Sequence, residues 1–147
     1  MARIERSIEI RAPPEKVWEM LAFDRAPEWM GDMMTRAEYT SEVRTQEDKY
    51  RVSASAHART HSNMEGDIEV TESLEHEKMT SRSTSRTMTA IGTFSLKPTE
   101  AGTAVTYVMD YEFHPILWKI FHRLVVGRMM EKEYEKALEN LKSILEK

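Results

Sequence analysis

Residues able to do chemistry are scattered along this chain, and their spacing decides which of them can act together. His57 and His61 stand four apart, the interval at which two imidazoles on one helix face could share a metal. Here they flank Arg59-Thr60, where strand-like alternation runs into a hairpin tip, and no third ligand follows. Solvated turn histidines are the expectation, with no metal. Asp110 and Glu112 lie two apart on a strand and so share a face. Paired carboxylates can do acid/base work, but parity sets these two opposite Tyr107, Tyr111 and Phe113, on the outer side. Tyr50, Tyr107 and Tyr111 fall on inward faces, where a buried phenol needs a partner from the protein or from a ligand. His114 precedes Pro115, and His122 sits beside Arg123 at the expected edge of a helical stripe, a snorkelling position.

Ser81, Ser83, Ser85 and Thr87 alternate with Thr80, Arg82, Thr84 and Arg86. Neither set is apolar, so parity leaves open which one faces inward. Serines would give a cavity a hydroxyl stripe; arginines would seat an acid. The simplest expectation is an edge strand blunted by polar residues. No Gly-x-Ser-x-Gly elbow, phosphate-cradling Gly-rich loop or dinucleotide fingerprint occurs. No cofactor is therefore expected.

The elements that must position these residues are mostly strands. Arg3 to Arg11 alternates, with Ile4, Ile8 and Ile10 opposite Glu5, Ser7, Glu9 and Arg11. Pro14-Glu15-Lys16 opens a short helix with acid in its first turn. Asp24 is read as the cap of a second short piece carrying Pro27 and Trp29. Five or six strands follow, over Met34–Val43, Lys49–Arg59, the run from Met64 to Val70, Lys78–Arg86, the run from Met88 to Leu96, and Val105–Phe113. Their short turns argue an antiparallel meander. From His114 to Lys147 the period changes. Pro115 suits a first helical turn, and Leu117, Phe121, Leu124, Val125, Met129, Tyr134, Leu138, Leu141 and Leu145 make one apolar stripe. A long helix after a run of strands needs a sheet to bury that stripe. The inward strand faces run from small (Ala54, Ala56, Ala58, Gly66, Ala90, Gly92) to large (Tyr50, Phe94, Tyr107, Tyr111). Small residues under a helix either admit it closely or leave room for a ligand. Gly127, within the helix, suggests close packing or a bend over a pocket.

Composition narrows the function. At 147 residues there is room for one domain, 1–147, with a real core. A net charge of −4 argues against a nucleic-acid partner. Absence of cysteine excludes disulfides, thiolate metal sites and Cys nucleophiles, and fits a reducing compartment. The N-terminus has no signal-peptide core and no segment reads as a membrane span, so a cytoplasmic protein is expected. Eleven methionines, with pairs at Met33-Met34 and Met129-Met130, are core filler or the lining of an adaptable pocket.

The stretch from Ser7 to Trp18, Ser-Ile-Glu-Ile-Arg-Ala-Pro-Pro-Glu-Lys-Val-Trp, then Pro27-Glu28-Trp29, Gly102-Thr103-Ala104-Val105-Thr106 and Ala137-Leu138-Glu139-Asn140-Leu141-Lys142 resemble the START/Bet v 1-like (SRPBCC) superfamily. Within it, the chain is most similar to the polyketide cyclase/dehydrase and lipid-transport group. The resemblance spans essentially the whole chain and speaks for fold more than for function. It implies an α+β helix-grip fold: a seven-stranded antiparallel curved sheet wrapped around a long C-terminal helix, with two short helices after the first strand, over a hydrophobic cavity. Members bind lipids, sterols, polyketides, hormones or quinones. The Ser/Thr-rich strand from Lys78 departs from the ketide-type pattern.

Three readings follow. The first is a carrier or sensor, more a binding protein than an enzyme, holding a small hydrophobic ligand against Tyr50, Met64, Met88, Phe94, Tyr107 and Met109, together with Tyr111, Leu124 and Met129. Trp29, Trp118 and Phe121 are expected near the pocket mouth. The second is a cyclase/dehydrase-like enzyme using a pocket His or Tyr, such as His57 or Tyr107. The third is a lipid or quinone chaperone touching a membrane peripherally through Trp118, Lys119, Phe121, Arg123 and Arg128. Monomer and homodimer are both open.

Overall fold

The computed structural model describes residues 2–39, 44–45, 52–53, 55–59, 65–114 and 116–147; within these, side chains at 32, 38–39, 44–45, 52–53, 55–59, 65 and 116–126 are outside the description. Its strands are β1 (Ala2–Ile10), β2 (Arg36–Tyr39), β3 (Arg44–Thr45), β4 (Val52–Ser53), β5 (Ser55–Arg59), β6 (Glu65–Leu74), β7 (Lys78–Ser85), β8 (Met88–Pro98) and β9 (Thr103–Phe113). Its helices are α1 (Pro14–Met20), α2 (Pro27–Met30) and α3 (Ile116–Leu145), with a 3-10 turn at Gly31–Met33. One antiparallel sheet runs in the order β1-β9-β8-β7-β6-β5-β2, and β3 pairs with β4 as a separate ribbon. The expected α+β architecture, an antiparallel sheet closed by a long C-terminal helix, is what the chain adopts.

Alternation becomes packing in β1, β8 and β9. Ile4 and Ile10 of β1 are buried, as are Val105 and Met109 of β9 and Leu96 of β8. The register aligns these side chains in rows across the inner face. One row is Ser73, Met79, Phe94, Tyr107 and Arg6. The next is Val70, Ser81, Gly92, Met109 and Ile4, and the one after it Ile68, Ser83, Ala90, Tyr111 and Ala2. Pairing slips between Val70 and Glu72, so Thr71 is the extra residue of a bulge. The bulge brings Ser73 onto the same face as Val70.

Helix α3 lies over the β1–β9 side. Tyr134, Ala137, Leu138 and Leu141 form its buried stripe. Gly127 is buried too, and a Cβ there would stand 2.8 Å from the Tyr111 hydroxyl. The close-packing reason for this glycine therefore holds. Polar bonds fasten the same helix to β1. Arg6, on the Ile4–Ile8 face, reaches Glu135 at 2.8 Å and Glu131 at 3.3 Å. Lys142 Nζ donates to the Glu9 carbonyl at 2.9 Å, and the Arg11 amide donates to Glu146 at 2.9 Å. The first of these two bonds occupies a backbone carbonyl of β1, a sheet-edge strand that would otherwise invite pairing.

Several expectations change. The Lys78–Ser85 strand is not an edge; it lies inside the sheet between β6 and β8. Asp24 does not cap α2, whose cap position is Ala26 without a side-chain bond. Met129 leaves the apolar stripe, at 57% exposure, because the inward arc at that turn is taken by Gly127 and Met130. The single strand expected over Lys49–Arg59 is described as two pieces: β4 pairs with β3, and β5 joins the main sheet.

Gly92 carries a stability prediction. A Cβ at this position would sit 2.5 Å from the Tyr107 hydroxyl oxygen and 3.0 Å from two ring carbons, so the whole ring would have to move. Gly92→Ala should cost about 1–3 kcal/mol, the usual range for overpacking a filled core, despite the better strand propensity of alanine. Urea unfolding measures this, with an unchanged m-value expected.

Candidate functional site

Between α3 on one side and the α1–α2 segment on the other, the middle of the inner face of β7 and β8 carries small side chains. Ser81 opposes Gly92 and Ser83 opposes Ala90 in register. Larger residues bound this strip: Met79 and Phe94 at one end, Met88 and Phe113 at the other. A second hydrophobic cluster of Phe23, Ala26, Met34, Ile68 and Val70 closes the β6 side, with Met30 and Met79 touching both clusters.

The question that parity left open is answered by register. Ser81 and Ser83 lie directly opposite Val70, Ile68, Gly92 and Ala90, all inner-face positions, so the serines face inward. Arg82 is exposed on the outer face, opposite Glu69 and Ile91. Ser85 is committed to its turn, since its hydroxyl donates to the Met88 carbonyl at 3.2 Å and accepts from the Met88 amide at 3.1 Å. Ser81 and Ser83 are half-buried and hydrogen-bond to no other described side chain.

An aromatic series walls the strip on the helix side. Trp29 meets Phe94 edge-on at 5.9 Å; Phe94 stacks on Tyr107 at 4.3 Å; Tyr107 leans on Tyr134 at 4.8 Å. The Tyr107 hydroxyl donates to Tyr134 at 3.5 Å, and the Tyr134 hydroxyl donates to the Met109 sulfur at 3.4 Å. Burial, with Tyr134 next to it, pushes the Tyr107 phenol well above its ordinary value of 10.0. Burial raises Tyr134 as well, partly opposed by the bond from Tyr107. Both phenols therefore stay protonated at neutral pH. They can donate or accept hydrogen bonds, and neither is suited to take a proton as a general base.

The expected site residues divide into three groups. Phe94, Tyr107, Met109 and Tyr111 are buried on the inner face, with Met88 half-buried beside them. Two are displaced. Trp29 is not at a mouth; it is 2% exposed, and its indole N–H donates to the Met20 carbonyl at 2.7 Å. Met129 points away from the interior. Tyr50 and Met64 lie outside the described residues, as do the side chains of Trp118, Phe121 and Leu124, and of His57, His61 and His122.

Other candidates have quieter roles. Asp110 is on the outer face as expected, in a two-pronged bond with Arg3 at 2.8 and 3.1 Å. That guanidinium holds its carboxyl below the usual range. His114 is exposed, bonded to the Thr89 hydroxyl at 3.0 Å. Sequence reasoning missed Ser73, Met79 and Tyr134 as parts of this wall. The bulge hid Ser73 from a period-two count. Tyr134 belongs to the helical stripe, and its phenol partner on β9 is a tertiary contact that spacing does not show. A cleft of about 70 Å³ lies between α2 and α3, lined by Met30, Gly31, Glu133, Lys136, Ala137 and Asn140. No group of His, Asp and Glu side chains among the described residues could hold a metal.

An antiparallel sheet with a long helix packed across its inner face defines the helix-grip class. The chain belongs to the family of SRPBCC-type proteins described as polyketide cyclase / dehydrase and lipid transport, whose family model matches residues 1–146. Among solved structures it is similar to TTHA0849 from Thermus thermophilus, with a TM-score of 0.77 at 17% identity, covering 97% of this chain and 95% of that one. It is also similar to MLL2253 from Mesorhizobium loti (TM-score 0.71, 16% identity, 98% and 96% covered) and to CV1439 from Chromobacterium violaceum (0.66, 14%, 100% and 99%). These likenesses show the fold. No curated protein matches the chain. No helix among the described residues is long and apolar enough to cross a membrane.

The tyrosine pair makes alkaline stability a test of the geometry. In the unfolded chain both phenols ionise near their ordinary value of 10.0, while burial holds them protonated in the folded protein. Their contribution to stability is full below pH 10 and is lost as pH rises from there toward the raised folded values. Stability measured by urea unfolding between pH 8 and 11 should fall more steeply for the wild type than for the Tyr107→Phe and Tyr134→Phe double variant. Parallel curves would contradict the buried pair.

Proposed function

We propose that this protein binds a small hydrophobic molecule on the inner face of β6, β7 and β8, as a carrier or sensor. The observation that carries this reading is Ser81 and Ser83, small and half-buried on the inner face opposite Val70 and Ile68, where a well-packed core would place large side chains. Apolar contact would come from Met79, Met88, Ile68, Val70 and Tyr111, with the aromatic wall at the helix side. Membership of a family described by polyketide cyclase / dehydrase and lipid transport supports a ligand of this general kind. Catalysis by the tyrosines is the weaker reading, because Tyr107 is enclosed by Phe94, Tyr134 and Gly92 and its phenol is held protonated.

Native mass spectrometry of freshly purified protein, followed by solvent extraction, is the direct test. A stoichiometric apolar adduct is expected, lost on denaturation. Ser83→Phe would fill the strip with one ring. It should weaken binding of the extracted compound at least tenfold while leaving the circular dichroism spectrum unchanged. Undiminished binding by that variant would place the ligand elsewhere on the molecule.

A further inference from the structure

The outer face of the sheet carries a row of side chains whose order has a symmetry of its own. Register aligns Glu69, Arg82, Ile91, Asp110 and Arg3 across β6, β7, β8, β9 and β1. Their charges run minus, plus, neutral, minus, plus, so the row is antisymmetric about its centre. At that centre Ile91 stands 39% exposed, one of two large hydrophobic side chains so exposed among the described residues. On one side of it Arg3 and Asp110 bond to each other. On the other side Glu69 and Arg82 are exposed register partners that form no ion pair with each other.

Polar groups around Ile91 are satisfied within the face itself. The Thr80 and Thr93 hydroxyls bond to each other at 3.0 Å, Thr89 bonds to His114 at 3.0 Å, and Ser7 to Thr106 at 3.1 Å. Groups already paired sideways cost little to cover, since covering them orphans no donor or acceptor. The threonine carbons and Val108, the register partner of Thr93, extend the apolar centre. An apolar centre with a charged rim is the usual anatomy of a protein interface. The face is also large enough. Its five strands run eight to eleven residues. At the usual rise and spacing they cover roughly 30 by 24 Å, or about 700 Å², close to the roughly 800 Å² that each partner buries in a stable complex. Helices α1 and α3 pack on the opposite, inner face.

We infer that the outer face docks on a second copy of this chain, sheet against sheet, about a two-fold axis that runs along β8 at Ile91. Such an axis lays β7 over β9 and β6 over β1 of the other copy. Arg82 then meets Asp110 of the second copy, and Glu69 meets Arg3, with both pairs formed twice by symmetry. Ile91 meets its own counterpart at the centre. An axis across the strands would instead set each charge against its own copy, so the row selects one orientation as well as one partner. The same operation sets Glu5 against Glu72, beside which Lys78 stands at 3.5 Å. Two sheets packed this way lie about 10 Å apart, a gap that long charged side chains bridge. The inner face of each copy is left free, so the pairing is independent of what that face binds.

Sedimentation equilibrium over a protein concentration series tests the pairing, with circular dichroism confirming that each variant is folded. The wild type should reach twice the chain mass. Arg82→Glu and Asp110→Arg should each weaken self-association about a hundredfold, because each sets like charges face to face twice. Ile91→Lys should weaken it as well. Mixing the Arg82→Glu and Asp110→Arg chains should restore the dimer as a mixed pair, since each reversed side chain then faces its opposite; native mass spectrometry separates that species by mass. A wild type that stays monomeric throughout overturns the inference, as does a dimer indifferent to Arg82→Glu and Ile91→Lys. Two monomeric variants that fail to pair when mixed overturn the two-fold arrangement.

Discussion

The packing of Tyr107 across Gly92 is the constraint on which the interior depends. A side chain on β8 at that point would displace the ring, and the ring is what Phe94 and Tyr134 stack against on either side. Through Tyr134 the contact passes from sheet to helix, and through Phe94 to Trp29 and the short helices. One missing Cβ thus lets sheet, long helix and α2 share a single aromatic series. Offset and edge-on ring pairs contribute about 0.5–1.5 kcal/mol each beyond their buried area. The series is a substantial part of what orients α3.

The position of the series also bears on the part of the inner face beside it. Helix α3 is drawn over β1 and β9 by Tyr134 and by the Arg6 pairs with Glu131 and Glu135. Phe23, Ala26 and Met34 settle over Ile68 and Val70 at the other side. What lies between them is the inner face of β7, and there the side chains are serines. Bulky groups thus grip the sheet at two sides, and hydroxyls floor the middle of its inner face. The same packing makes Tyr107 unsuited to proton transfer, because the burial that fixes its ring also keeps its proton in place.

Much of this was legible from residue order. Period-two runs such as Val105 to Tyr111 bury every second side chain as the alternation requires, and the outward placing of Asp110 follows from parity alone. The late helical stripe is also found, through Tyr134, Leu138 and Leu141. Where the reading failed, the missing information was tertiary. Ser/Thr/Arg alternation in β7 carries no hydrophobic signal, and only pairing with Ile68, Val70, Ala90 and Gly92 assigns its faces and its place inside the sheet. Trp29 looks like a rim residue in a short, Pro-led segment, but its N–H finds the Met20 carbonyl and the ring goes inside. Met129 fits a spacing of four, but the helix turns Gly127 and Met130 inward at that level.

Polarity in the interior is the last point at which fold and function meet. Thr103 shows how this chain satisfies a buried hydroxyl when only structure is at stake: a 2.7 Å bond to the carbonyl of Ala12, the residue just before Pro13-Pro14. Ser85 does the same within its turn. The serines on β6 and β7 are treated differently, facing Gly92, Ala90 and Met79 without a described hydrogen-bond partner. Alanine at these positions would fill the same space and avoid the desolvation cost of the hydroxyl. Hydroxyls retained there, beside glycine and alanine, give this part of the inner face a hydrogen-bonding capacity that the described side chains leave unused.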